Sequence, residues 1–190
     1  MSAARLTFAA LMASTLLAAR PAQAQGSSST NPAFFIEGLG GAAIPTFDIA
    51  NDIKTGAMFG ATFGYQLDPD WTLMAEFDYG HHKDKATNSV TIKTLHYMAK
   101  LGYSLTGERE HGWDAMVNLG AGAVTFDGFG AAGTKTYFAI NAGAKITYNF
   151  NRSVGFVISP QGDIAFSKKA EVNTTNAWVW PVSAGLRVKF

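Results

Sequence analysis

The chain contains no cysteine. That excludes disulfides, thiolate nucleophiles and cysteine-ligated metals. Charge is also scarce. Lys, Arg, Asp and Glu make up 15% of the residues, against roughly 25% in an ordinary soluble domain. The two signs nearly cancel, 15 basic against 14 acidic, so no basic excess supports nucleic-acid binding. With 47% hydrophobic and 13% aromatic residues, the chain is not of the disordered class, which needs the opposite balance. After the first 24 residues no apolar run reaches the 18 or so residues of a transmembrane helix. A length of 190 residues leaves room for one domain or one small barrel.

What is present begins with a leader. Arg5 precedes the mostly apolar run Leu6 to Ala19, and Ala22 and Ala24 are the small residues that signal peptidase reads. Residues 1–24 are therefore expected to be a secretory signal peptide. The run is shorter than the about 20 apolar residues of a membrane anchor. Without Arg5 and Arg20, 13 bases (15 minus 2) face 14 acids. Residues 25–33 read as a short flexible lead-in, and residues 34–190 show no compositional break.

From Phe34 onward the hydrophobic pattern has period two, the mark of strands. In Trp71 to Tyr79, the residues Trp71, Leu73, Ala75, Phe77 and Tyr79 share one face, and Thr72, Met74, Glu76 and Asp78 the other. Eight such runs are expected, at about 34–44, 55–67, 71–81, 91–105, 112–126, 134–150, 153–167 and 177–190. Each is longer than the 5–6 residues usual in soluble sheets and long enough to cross a bilayer as a tilted strand. Short turn-like connections alternate with longer ones, as in outer-membrane barrels whose short turns are periplasmic. Pro160 and Pro181 fall inside runs, where a missing N–H marks a bulge or an edge and parity is expected to slip.

The apolar face carries almost no charge, which suits hydrocarbon. The other face is small and sparsely charged, unlike a water-facing surface. Parity puts Glu37, Glu76, Asp78, Asp114 and Asp163 on that inner face with Lys100, Lys145, Arg187 and Lys189. Five acids against four bases is the near balance that a side-chain-filled lumen needs. A lining of one sign would instead suggest an ion pathway. Glu76 is expected to meet Lys100, and Glu37 to meet Arg187 or Lys189 where the barrel closes. Aromatics at strand ends are expected to form two girdles, with Tyr79, Phe126, Tyr137, Phe166 and Trp178 on the long-loop side.

The segment from Ser183 through Gly185 and Val188 to Phe190 resembles the C-terminal β-signal of outer-membrane proteins. Together with the leader and the eight runs, it makes the chain similar to the small OmpA/OmpX-type barrels of Gram-negative bacteria. The resemblance implies an all-β, eight-stranded antiparallel up-and-down transmembrane barrel in the outer membrane. It also implies export across the inner membrane, recognition by the barrel assembly machinery, and contact with outer-membrane lipid and lipopolysaccharide. Small barrels of this kind are often monomers. No further periplasmic domain is expected after Phe190.

Enzymatic readings find little support. The deacylase members of this group carry a His-x-Ser pair, and no His here has Ser two residues on. The palmitoyltransferase type needs His, Asp and Ser at the outer rim, a role into which His81, His82, Asp84 and Ser89 could only be forced. Adjacent strand residues point to opposite faces, so His81 and His82 make a poor metal pair and read as a polar loop edge. No catalytic, cofactor or metal residue is assigned. The expected role is structural or surface-interacting, with Phe47, Ile49 and Phe129 as loop contact residues. A narrow channel for small or apolar solutes, and a lipid A-modifying enzyme, are the alternatives. An unboiled sample should migrate differently on a gel from a boiled one. Unchanged migration together with full solubility after detergent-free extraction would mean a lipocalin-like soluble barrel instead.

Overall fold

The computed structural model describes residues 34–88, 91–107, 109–129 and 133–190. The leader and lead-in, including Ala22 and Ala24, and the rim residue Ser89 lie outside them. Eight strands follow one another: β1 (Phe34–Thr46), β2 (Gly56–Gln66), β3 (Trp71–Lys83), β4 (Thr91–Ser104), β5 (Gly112–Asp127), β6 (Lys135–Asn149), β7 (Val154–Ala165) and β8 (Ala177–Lys189). Each pairs antiparallel with its neighbours, and β8 returns to β1, closing the barrel. Closure removes the sheet edges that lipid could not hydrogen-bond.

The stagger of the barrel can be followed pair by pair. From Ile36 the partners run through Phe63, Ala75, Ala99, Ala121, Ile140, Ile164 and Trp178 to Thr46. The circuit returns ten residues (46 minus 36) further along β1. With about 3.3 Å per residue and about 4.8 Å between strands, this stagger tilts the strands by about 40°. Strands of 11 to 16 residues at that tilt cover the apolar band of about 25 Å.

Turn chemistry fixes the short connections. Asp68 Oδ1 accepts the backbone N–H groups of Asp70 (2.9 Å) and Trp71 (2.8 Å). Asn151 Oδ1 does the same for Ser153 (2.8 Å) and Val154 (2.9 Å). These are side-chain-closed turns of the Asx kind. Aromatic pairs ring that end: Phe34 with Tyr65, Trp71 with Tyr103, and Trp113 with Tyr148, at 4.7 to 4.9 Å between centroids.

Leu73, Phe77, Leu101, Leu186 and Val188 are exposed on the outer wall. Glu37, Glu76, Lys100 and Lys145 are almost fully buried. The apolar set therefore faces outward along the wall, the reverse of a soluble sandwich.

Two expectations about the strands need correction. The prolines do not shift parity: Ser159, Gln161 and Asp163 all point inward, as do Ser183 and Arg187. They interrupt the ladders instead. Pairing between β6 and β7 is missing from Ala144 to Lys145, opposite Pro160, and between β7 and β8 at Gln161 and Gly162, beside Pro181. A missing N–H deletes a hydrogen bond without inserting a residue, so the register is unchanged. Second, Phe126 and Tyr137 do not join the outer girdle. Phe126 has no exposed surface, and Tyr137 is buried within the interior.

The backbones of β1 and β8 approach closely at one glycine of their seam. A Cβ on Gly185 would lie 1.8 Å from the Gly38 carbonyl oxygen, whereas one on Gly38 would meet nothing within 4 Å. Gly185→Ala should therefore weaken the β1–β8 closure and lower the temperature at which the unboiled gel band is lost. Gly38→Ala should leave that temperature within a few degrees of the parent value. Equal behaviour of the two variants would contradict this packing.

Candidate functional site

The interior has two levels. The first is a polar belt. Glu37 on β1 lies directly across from Arg187 on β8 and accepts from its Nε (2.8 Å) and Nη2 (2.6 Å). The Arg187 guanidinium also covers the Phe35 ring at 4.2 Å. Lys145, from β6, donates to the other oxygen of Glu37, to Glu76 (3.1 Å) and to the Thr62 hydroxyl (3.0 Å). Lys100 donates to Glu76 and to Gln161. Gln161 in turn donates to Glu76 and to Ser159, both at 2.9 Å. Further along, Asn141 bonds Gln161 (3.1 Å) and Asp163, and Asp163 holds His96 Nδ1 at 2.6 Å.

All nine charged residues assigned to the inner face by parity lie inside, none more than 8% exposed. They are not one cluster. Glu37, Glu76, Lys100, Lys145 and Arg187 share contacts. Asp163 joins them through Gln161 and Asn141. Asp78 lies across from His96, yet Asp78 Oδ1 and His96 Nε2 have no hydrogen-bond partner among the described residues. Asp114 sits apart at the short-turn end, where Asn149 donates to it. Arg187 rather than Lys189 meets Glu37. Parity in the sequence also held the signal for members not singled out, namely Thr62, Asn141, Ser159 and Gln161.

A cavity of about 30 Å³, room for one water, opens beside the belt on the short-turn side. Thr72, Ser104, Asp114, Thr147 and Arg187 are among its lining.

The second level, toward the long loops, is apolar, which corrects the expectation of a polar lumen throughout. Ile49, Ile53, Ile92, Val124, Phe126, Phe129 and Val172 pack together inside the mouth. Ile49 and Phe129 are therefore not exposed contact residues; the loops turn them inward. Only Phe47 of the three is exposed, at 68%. It has a positive φ of 57° and packs edge-on against Trp178 at 5.3 Å. His82 is not a loop edge either. It is buried on β3, with ring nitrogens 2.9 Å from the Lys54 carbonyl oxygen and 3.3 Å from the Thr94 hydroxyl.

The loops are tied to one another above this level. A 3₁₀ turn at Phe47–Asn51 leads to a bridge between Ile53 and Asp84, and the Lys85 ammonium donates to the Ala50 carbonyl (3.0 Å). Asp84 caps its own turn. The Thr87 backbone N–H and then the Thr87 hydroxyl hold its carboxyl below the usual range. On helix α1 (Lys169–Val172), Glu171 accepts from the Tyr137 hydroxyl at 2.7 Å and pairs with Lys135 at 3.5 Å. The Tyr137 hydrogen bond, then Lys135, lowers the Glu171 pKa. Among the described residues no group of three or more His, Asp or Glu side chains is placed to hold a metal.

A closed, outward-apolar barrel with an ionic interior defines a class of membrane barrel. The model of the outer membrane protein beta-barrel domain family matches residues 7–190. The chain belongs to that family, and its location is the bacterial outer membrane. Solved structures share the fold. Neisserial surface protein A aligns at 17% identity over 83% of this chain and 97% of its own, with a TM-score of 0.63. The N-terminal β-barrel domain of Pseudomonas aeruginosa OprF gives 18%, 83%, 96% and 0.55. OprG from Pseudomonas aeruginosa gives 14%, 84%, 97% and 0.56. No curated protein sequence matches the chain.

Removing one partner of a buried ion pair strands the other and costs about 3–5 kcal/mol. Lys145→Met should destabilise the folded barrel by about that amount in urea titrations of protein refolded into lipid. A shift under about 1 kcal/mol would mean that water, not Lys145, neutralises Glu37.

Proposed function

We propose that this protein is a structural, surface-interacting outer-membrane barrel whose lumen is plugged, with the long loops presented outside. The supporting observation is the double filling of the interior: the belt around Lys145 spans the lumen, and the Ile49–Phe126–Phe129 packing fills the mouth above it. Eight strands leave an interior only about as wide as the side chains that fill it. On this reading residues 1–24 are a cleaved leader ending at Ala22-Gln23-Ala24, residues 25–33 a lead-in, and residues 34–190 the barrel. Ser183, Gly185, Val188 and Phe190 form the signal read by the assembly machinery. Val188 and Phe190 are exposed on the outer face at the β8 terminus, where a signal must be reachable. The protein acts as a monomer and carries no enzymatic activity.

The channel reading makes the opposite demand on the same residues. Planar-bilayer recordings should show no reproducible open state for the wild type. A reproducible open state that changes in Lys100→Ala would establish a channel and overturn the plugged lumen.

A further inference from the structure

Every lysine not buried in the interior lies at the long-loop end, including Lys83 and Lys93 on the strands themselves. His81 and Lys93 are directly opposed across β3 and β4, and Lys83 faces Thr91 two residues on. The two lysines are thus diagonal neighbours, about 7–8 Å apart at the backbone. All three side chains are exposed on the outer wall. None has a hydrogen-bond or ion-pair partner among the described residues. The carboxylate directly across from Lys93, Asp127, accepts from the Thr134 hydroxyl at 2.9 Å.

β3, with its neighbours β2 and β1, carries an apolar recess below this cluster. Ala61 and Ala75 leave an open depression of about 310 Å³ on the lipid-facing wall, walled by Ile36, Phe63 and Phe77. Phe77 packs edge-on against Tyr97 at 5.3 Å along its upper border. Ala75 is six residues below His81 on β3, about 20 Å along the strand and about 15 Å along the barrel axis at the tilt of about 40°. A phosphate held at the lysines would therefore stand about 15 Å higher than the recess, within the reach of an acyl chain.

We propose that this strip of β2, β3 and β4 is a binding site for a phosphorylated, multiply acylated glycolipid of the outer leaflet. Lys83 and Lys93 take a phosphate, His81 supports it, and an acyl chain lies in the Ala61–Ala75 recess. The site rests on the outer-membrane placement of the long loops. Two ammonium groups at a membrane surface attract an anionic headgroup by about fivefold each, and the recess adds shape that a soluble phosphate could not use.

Native mass spectrometry of the full barrel in detergent tests the site, with bis-phosphoryl lipid A, dephosphorylated lipid A and phosphatidylglycerol as probes. The wild type should retain bis-phosphoryl lipid A in preference to both others. Lys83→Gln/Lys93→Gln should lower that retention about 25-fold, and Ala75→Trp should lower it by filling the recess. Lys168→Gln/Lys169→Gln, at the β7–β8 loop, should leave it unchanged. The site is overturned if the Lys83/Lys93 variant retains lipid A like the wild type, if phosphatidylglycerol binds equally well, or if the Lys168/Lys169 variant loses as much. Unboiled gel migration of each variant separates this outcome from failure of the barrel assignment, which would remove the folded band from every sample. Should Ala75→Trp not fold, the lysine variants decide alone.

Discussion

The Lys145 ammonium lies between Glu37 and Glu76, and the rest of the interior is arranged around the need to keep those three charges together. Each ion taken out of water costs several kcal/mol, recovered only with close partners and filled lone pairs. Arg187 and Thr62 complete Glu37 and Glu76 on one side; Lys100 and Gln161 complete Glu76 on the other. Glu37, Thr62, Glu76, Lys100, Lys145, Gln161 and Arg187 come from β1, β2, β3, β4, β6, β7 and β8. One network therefore ties seven strands. In lipid, the apolar outer wall gives no drive for strand to meet strand. Backbone pairing closes the cylinder, and the belt contributes what a water-driven core would supply in a soluble protein.

The change from an ionic to an apolar interior follows from what surrounds each level. Mid-barrel, the side chains are enclosed by wall on all sides and reach one another across a narrow space. Nearer the mouth, the loops fold back, and Ile49, Phe129 and Val172 bring apolar surface that packs on Ile92, Val124 and Phe126. There the ordinary hydrophobic effect operates, because the alternative for those loops is water. The hydrogen bonds of Lys85 with Ala50 and of Tyr137 with Glu171 tie the first two long loops to each other and the last to β6. The plugged-lumen reading joins these two packings, one electrostatic and one hydrophobic.

The outer wall is less uniform than its apolar character suggests. Pro160 and Pro181 leave gaps in the ladders on either side of β7, which a membrane strand tolerates only if interior groups take over. Behind these gaps Gln161 bonds Ser159, and the Ser183 hydroxyl reaches the Ser159 carbonyl at 3.5 Å. On the far side, the β2–β4 strip is continuous in pairing but interrupted in relief by Ala61 and Ala75. The exposed Lys83 and Lys93 lie further along the same strip, toward the long loops.

Alternation along each strand was legible because its period is a property of the chain alone: a residue two along points the same way. That placed the lipid face, the inner face and the number of strands. The Glu76–Lys100 contact was legible too, since Glu76 lies five residues from Trp71 and Lys100 five from Leu105, which puts both at about the same height above the short-turn end of adjacent strands. Period two cannot say how far each strand is shifted, however, because any even shift preserves the faces. The ten-residue stagger, summed over eight pairings, is what carries Lys145 from β6 to Glu37 on β1. Nor could alternation foresee where the loops go. Ile49 and Phe129 look like exposed hydrophobics in a polar loop until the apolar residues of the neighbouring strands offer them a place to bury. Local pattern decided which way side chains face; closure of the cylinder decided which of them meet.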